Sequence, residues 1–111
     1  MSVPTNQELN KIVQDNDLQY ILLFNNDGDL IESNKFKFDT NYAAMSGTIT
    51  SMCNQIIKDL QYGDMNKVII HASNGFILIT KISNNHYIAA LTKDESKLGI
   101  LMKTMDSIKN K

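Results

Sequence analysis

The stretch that most constrains this chain is Asp39 to Gln61, DTNYAAMSGTITSMCNQIIKDLQ. Met45, Ile49, Met52, Ile56 and Leu60 recur at steps of four, three, four and four. That period predicts one long amphipathic helix. Asp39, Thr40 or Asn41 is placed to cap its start. Tyr42, Cys53 and Ile57 widen the apolar side, which is expected to cover the domain's own sheet, with Met45 and Met52 in the core. The opposite side carries Ala43, Gly47, Thr50 and Asn54, all small or short. No Lys, Arg or Glu occurs between Asp39 and Ile57, so neither side looks like an ordinary solvated face. Glycine in mid-helix costs about 1 kcal/mol against alanine, and Gly47 therefore calls for a close packing partner. The expectation is a second protein against the small-residue stripe.

A chain of 111 residues is expected to form one domain over residues 1–111, large enough to fold without metal or disulfide. Net charge is -1, which does not suggest a nucleic-acid partner or an anionic membrane surface. No run approaches the ~20 apolar residues of a membrane span. The N-terminal MSVPTNQELN lacks the parts of a signal peptide. One cysteine rules out an internal disulfide framework and fits a reducing, cytoplasmic setting. All 11 basic residues are lysines. The chain therefore has no arginine finger to offer and no bidentate guanidinium clamp.

Thr5 to Glu8 is a capping-box pattern opening a short helix with Leu9, Ile12 and Val13 on one stripe, ended by Asp15-Asn16-Asp17. Gln19 to Asn25 reads as a strand apolar on both faces, so both should be covered. Asp27-Gly28 predicts a type I′ hairpin turn, and Leu30 to Lys35 a polar edge strand. After the long helix, Gly63 is the expected C-cap. Lys67 to Ala72, Phe76 to Ile82 and His86 to Thr92 read as a three-stranded meander. Glu95 to Lys109 reads as a last helix capped by Asp94 or Ser96. It has Leu98, Leu101, Met102, Met105 and Ile108 on one face, and a basic side of Lys97, Lys103, Lys109 and Lys111. The order is α-β-β-α-β-β-β-α. The predicted class is α/β (α+β), a profilin-like three-layer sandwich. Its five-stranded antiparallel sheet has the long helix on one face and the terminal helices on the other.

The hairpin YILLFNNDGDLIES, the long helix with its small residues, the hairpin VIIHASNGFILITKI and the segment LTKDESKLGILMK follow one another as in a roadblock-type domain. The chain resembles that dynein light chain family from about Glu8 to its C-terminus. The family also includes bacterial polarity regulators and scaffold subunits of Rag-GTPase anchoring complexes. None of these motifs is catalytic; the likeness lies in their order and spacing. The longin-type fold has a similar sandwich but begins with strands. The resemblance implies a sheet ordered 2-1-5-4-3 and a homodimer through the third strand and the long helix. Val68, Ile69, Ile70 and His71 then form a poorly protected edge. Pairing two copies there by a two-fold would bring Ala43, Gly47, Thr50 and Asn54 of the two long helices together. Gly47→Glu is expected to weaken such a dimer.

The candidate chemistry is sparse. His71 and His86 have no ligand at metal-binding spacing, and Cys53 reads as a buried, inert thiol. Asn25, Asp27 and Asp29 fail the EF-hand pattern, because the positions of its first and last ligands hold Leu23 and Asn34. Gly47, Gly63, Gly75 and Gly99 make no phosphate loop, and Ser46 and Ser51 have no nearby base. The chain therefore reads as a non-enzymatic module with no catalytic, cofactor or metal residues. The resemblance implies partners: a second copy and a Ras-like small GTPase that is bound, regulated or scaffolded. Family members that stimulate GTP hydrolysis do so without inserting an arginine. The alternatives are an adaptor subunit of a dynein-like or cytoskeletal complex, and an enzyme or ligand sensor in the sandwich interior.

Overall fold

A computed structural model describes residues 3–109; Lys111, counted above with the basic side, lies outside them. Helix α1 (Asn6–Asn16) opens with the expected capping box. Glu8 N donates to Thr5 Oγ1 at 3.2 Å and Thr5 N to Glu8 Oε1 at 3.1 Å. Strands β1 (Tyr20–Asn25) and β2 (Leu30–Ser33) form the first hairpin. Helix α2 (Asp39–Asp59) follows, then β3 (Lys67–Ala72), β4 (Gly75–Ser83) and β5 (His86–Thr92). A 3-10 turn (Glu95–Lys97), capped by Asp94, leads into α3 (Leu98–Lys109). The strands make one sheet in the order β2-β1-β5-β4-β3, antiparallel throughout.

Alternation along the strands divides the core in two. Ile21 and Leu23 of β1, Leu78 of β4, and Ile88 and Ala90 of β5 face α1 and α3, where they meet Leu9, Leu101 and Met105. Leu22, Phe24, Ile79, Tyr87 and Ala89 face α2. Residues Ile21 to Phe24 are all buried, as a centrally placed strand apolar on both faces requires.

Three local expectations are corrected. The β1–β2 turn is not type I′. Gly28 alone in it takes a positive φ, +78°, and Gly28 N donates to Asn25 O at 3.0 Å. This is a type I turn followed by a left-handed glycine. Asn25 Oδ1 accepts from Asp27 N and Asp29 N, both at 2.9 Å. At the start of α2 the N-cap is Phe38, at φ 69° and with no side-chain cap bond. Asp39 instead accepts from Ser33 Oγ at 2.7 Å, tying the helix start to β2. At its end the C-cap is Leu60 and the left-handed residue that closes the helix is Gln61 (φ 60°); Gly63, also at positive φ (93°), lies two residues further on. Tyr62 N reaches Ile57 O and Gln61 N reaches Lys58 O, both at 3.0 Å, a Schellman closure.

Candidate functional site

The decisive feature is which way α2 faces. The small stripe points inward: Ala43, Gly47 and Thr50 are the buried residues of the helix. A Cβ placed on Gly47 would lie 2.5 Å from Gly28 Cα and 2.9 Å from Gly28 N. The helix backbone thus rests directly on the β1–β2 turn. Thr50 Oγ1, buried, is satisfied by Gly47 O at 2.9 Å. Asn54 is half-buried. The expectation for this helix is therefore reversed. Ala43, Gly47 and Thr50 are used up inside the protomer and are not available to a partner, so Gly47→Glu would test folding and not dimer formation. The close partner that Gly47 called for is the protein's own hairpin.

The methionine–isoleucine stripe points outward. Met45 is 54% exposed, Met52 63%, Ile56 59% and Leu60 53%, so Met45 and Met52 are not core. Only the widening residues Tyr42, Cys53 and Ile57 pack against the α2-side core. The geometry of the sheet explains this. Helix α2 contacts β1 and β2, so it lies over one side of the sheet. Beyond it the sheet face is half-covered. A groove of about 570 Å³ opens there, lined by Tyr20, Tyr42, Met45, Ile49, Ile77 and Leu91. Tyr20 stacks on Phe36 with centroids 4.2 Å apart, and Phe36 lies 6.1 Å from Tyr42. These rings make the groove's aromatic end.

Strand β3 borders the same side. It pairs with β4 alone, and its outer backbone edge has no strand among the described residues. Val68 and Ile70 lie opposite Ile79 and Ile77, on the α2 side of the sheet. Ile69 and His71, both exposed, lie opposite Leu78 and Phe76 on the α3 side. His71 sits 6.2 Å from the Phe76 ring. Lys67 anchors the strand start to α3 through Asp106 at 2.8 Å.

The groups of shifted pKa lie away from this surface. Glu32 is lowered by its hydrogen bond from Lys35, 2.7 Å away. Asp94 is lowered by Ser96. Tyr87 is raised by burial. No cluster of three or more His, Cys, Asp or Glu able to hold a metal occurs among the described residues. His86 Nδ1 is bonded to Ser83 Oγ at 2.7 Å across the β4–β5 turn. No helix among the described residues is long and apolar enough to cross a membrane.

The helix–hairpin–helix–meander order matches a known domain. The sequence profile of the Roadblock/LC7 domain fits residues 5–92. The chain belongs to the Roadblock/LC7 domain family. No curated protein sequence matches it. Among solved structures, this Roadblock/LC7 domain is similar to MglB of Myxococcus xanthus, with a TM-score of 0.80 at 12% identity over 90% of this chain and 84% of that one. It is also similar to the gliding protein MglB of Thermus thermophilus, at 0.77 and 9% over 97% and 90%. A Roadblock/LC7 domain from Streptomyces avermitilis gives 0.74 and 14% over 98% of each chain. At these identities the likeness is one of fold.

A strip of residues missed by the sequence reading thus makes up most of this surface. The signal was present in the step sizes. A strict four-three-four spacing is the narrow seam of helix-to-helix packing, whereas a helix lying on a sheet shows a wider apolar face.

Proposed function

We propose that this Roadblock/LC7 domain is a non-enzymatic, homodimeric interaction module that binds, regulates or scaffolds a Ras-like small GTPase in the cytoplasm. The observation that carries the reading is the exposed Met45, Met52 and Ile56 of α2, with half-buried Ile49 between them, on the same sheet face as Val68 and Ile70 of the unpaired β3 edge. A contiguous apolar strip of this kind on a small protein marks an association surface. A bare strand edge invites pairing. One two-fold operation would close both at once. Val68, Ile69, Ile70 and His71 form the sheet junction, and the seam of one α2 enters the groove and seam of the other. Met45, Met52 and Ile56 are each just over half exposed, so burying what is left of them contributes on the order of 1–2 kcal/mol each. The family supports the GTPase partner, and the apolar make-up of the α2 seam supports a docking platform. Regulation of the partner then proceeds by positioning, since the chain holds no arginine.

Light scattering tests the dimer, with a monomer at micromolar concentration as the outcome against it. The GTPase is tested by immobilising the protein and incubating it with host extract containing either GDP or a non-hydrolysable GTP analogue. Recovery of a small GTPase in one nucleotide state supports the platform. Its rate of GTP hydrolysis with and without this protein then separates an activator from a scaffold. Recovery of motor or roadblock-like subunits alone supports the adaptor reading instead.

A further inference from the structure

The methionines of this chain divide by exposure. Met65 and Met105 are buried, and Met102 is half-buried against the core beneath α1 and α3. Met45 and Met52 are both more than half exposed. They are the only exposed methionines among the described residues, and both lie on the outward stripe of α2, about two turns apart. Neither belongs to a core cluster. Their surroundings differ. Met45 lines the groove with Tyr20 and Tyr42, whose hydroxyls can donate hydrogen bonds. Met52 stands between Ile49 and Ile56 on the stripe, and neither offers a donor.

We propose that Met45 and Met52 are a reversible oxidation site that takes a hydroperoxide as co-reactant, and that the sulfoxide formed at Met52 opens the α2 seam. The thioether sulfur attacks the outer peroxide oxygen, and an S–O bond forms as the O–O bond breaks. Sulfur gives up two electrons. The proton of the attacked oxygen passes to the departing one, which leaves as water or an alcohol. Exposure decides which sulfurs react, so Met65 and Met105 are spared. The product is a polar side chain in place of a flexible apolar one. In the seam of a second copy, the oxygen on Met52 lies among isoleucines, stripped of water with no donor in exchange. Sulfoxide reductases reverse the step: the oxygen leaves as water while two thiols join in a disulfide. The opening of the seam rests on the dimer proposed above; the selectivity among the sulfurs does not. Pairing would cover the same side chains, so oxidant and second copy compete for the free protomer, and oxidation slows as protein concentration rises.

The test treats the full chain with hydrogen peroxide at neutral pH and reverses any disulfide or sulfenic acid at Cys53 with dithiothreitol. Peptide mass spectrometry then locates the sulfoxides. Met45 and Met52 are expected to convert roughly tenfold faster than Met65 and Met105, or more, and Met52 to convert faster in dilute than in concentrated protein. Light scattering and circular dichroism follow the same samples. The dimer is expected to give way to a folded monomer as Met52 converts, its dissociation constant raised roughly tenfold or more. It is expected to return after treatment with methionine sulfoxide reductases and thiol. Equal rates at Met52 and Met65 would overturn the site. A dimer that persists with Met52 fully converted would overturn the opening of the seam and leave the dimer standing. A monomer before any oxidant is added would strike the dimer and the opening of the seam together.

Discussion

Gly28 and Gly47 are in backbone contact: a Cβ on Gly47 would come within 2.5 Å of Gly28 Cα. Gly28 in turn has a left-handed backbone, and a Cβ there would meet Ala44 Cα at 3.1 Å. A hairpin turn and a mid-helix position, 19 residues apart by their numbers, are thus held by one touching surface. Both glycines are required, one for approach alone and the other for approach and conformation.

Gly47→Ala is therefore expected to destabilise the protein. By helix propensity alone alanine would add about 1 kcal/mol. The methyl would collide with backbone that has nowhere to retreat, and overpacking of this kind costs about 1–3 kcal/mol. Urea unfolding decides between the two, and a higher midpoint for the variant would show that the turn moves aside freely.

Met52→Glu is expected to leave the protomer folded and to break the proposed dimer. The side chain is 63% exposed and outside both core clusters, so the change costs the protomer within about 0.5 kcal/mol. In the paired state it would set two carboxylates in an apolar seam. Light scattering and circular dichroism together read both effects; an unaltered dimer would move the interface away from α2.

Asn25→Ala is expected to loosen the β1–β2 turn on which α2 rests. The Asn25 side-chain carbonyl accepts two backbone bonds, at 2.9 Å each. Losing them costs on the order of 1–3 kcal/mol. Hydrogen exchange is expected to speed up at Asp27 and Asp29 and, through the Gly28–Gly47 contact, at the middle of α2. Acceleration confined to the turn would mean the helix does not depend on it.

Asp94 supplies a pH dependence of known sign. Its carboxylate accepts from Ser96 Oγ at 2.6 Å and Ser96 N at 3.0 Å, which hold it below the ordinary carboxylate value of 3.8. A group lowered in the folded state stabilises it above the unfolded value, and that contribution is lost as pH falls through the folded one. Carbon-detected titration of Asp94 is expected to give a midpoint below 3.8, and Ser96→Ala to move it upward. A midpoint unchanged by the substitution would remove Ser96 as the cause.

Most of the architecture was legible from local chemistry. The Thr5–Glu8 box, the doubly apolar β1 and the α3 face of Leu101, Met105 and Ile108 each state their own place. The facing of α2 was not, because hydrophobicity assigns the larger apolar side to the interior. That rule reverses here because the helix backbone touches the β1–β2 turn and its large side chains are left outside. Phe38 and Gln61 were illegible for another reason. Both adopt left-handed conformations that ordinary side chains take only when tertiary packing imposes them. The interface positions Ala43, Gly47 and Thr50 were misplaced by the same reversal, whereas the β3 edge was visible from its unbroken Val68-Ile69-Ile70 run.

The division of α2 into a fixed side and a free side separates two kinds of inheritance. Ala43, Gly47 and Thr50 answer to the protomer, and almost any enlargement there is a folding defect. Met45, Met52 and Ile56 answer only to whatever lies beyond the protomer. In the proposed dimer, a duplicated gene could exchange these for other apolar side chains and alter which copies recognise each other, while the domain beneath folds as before.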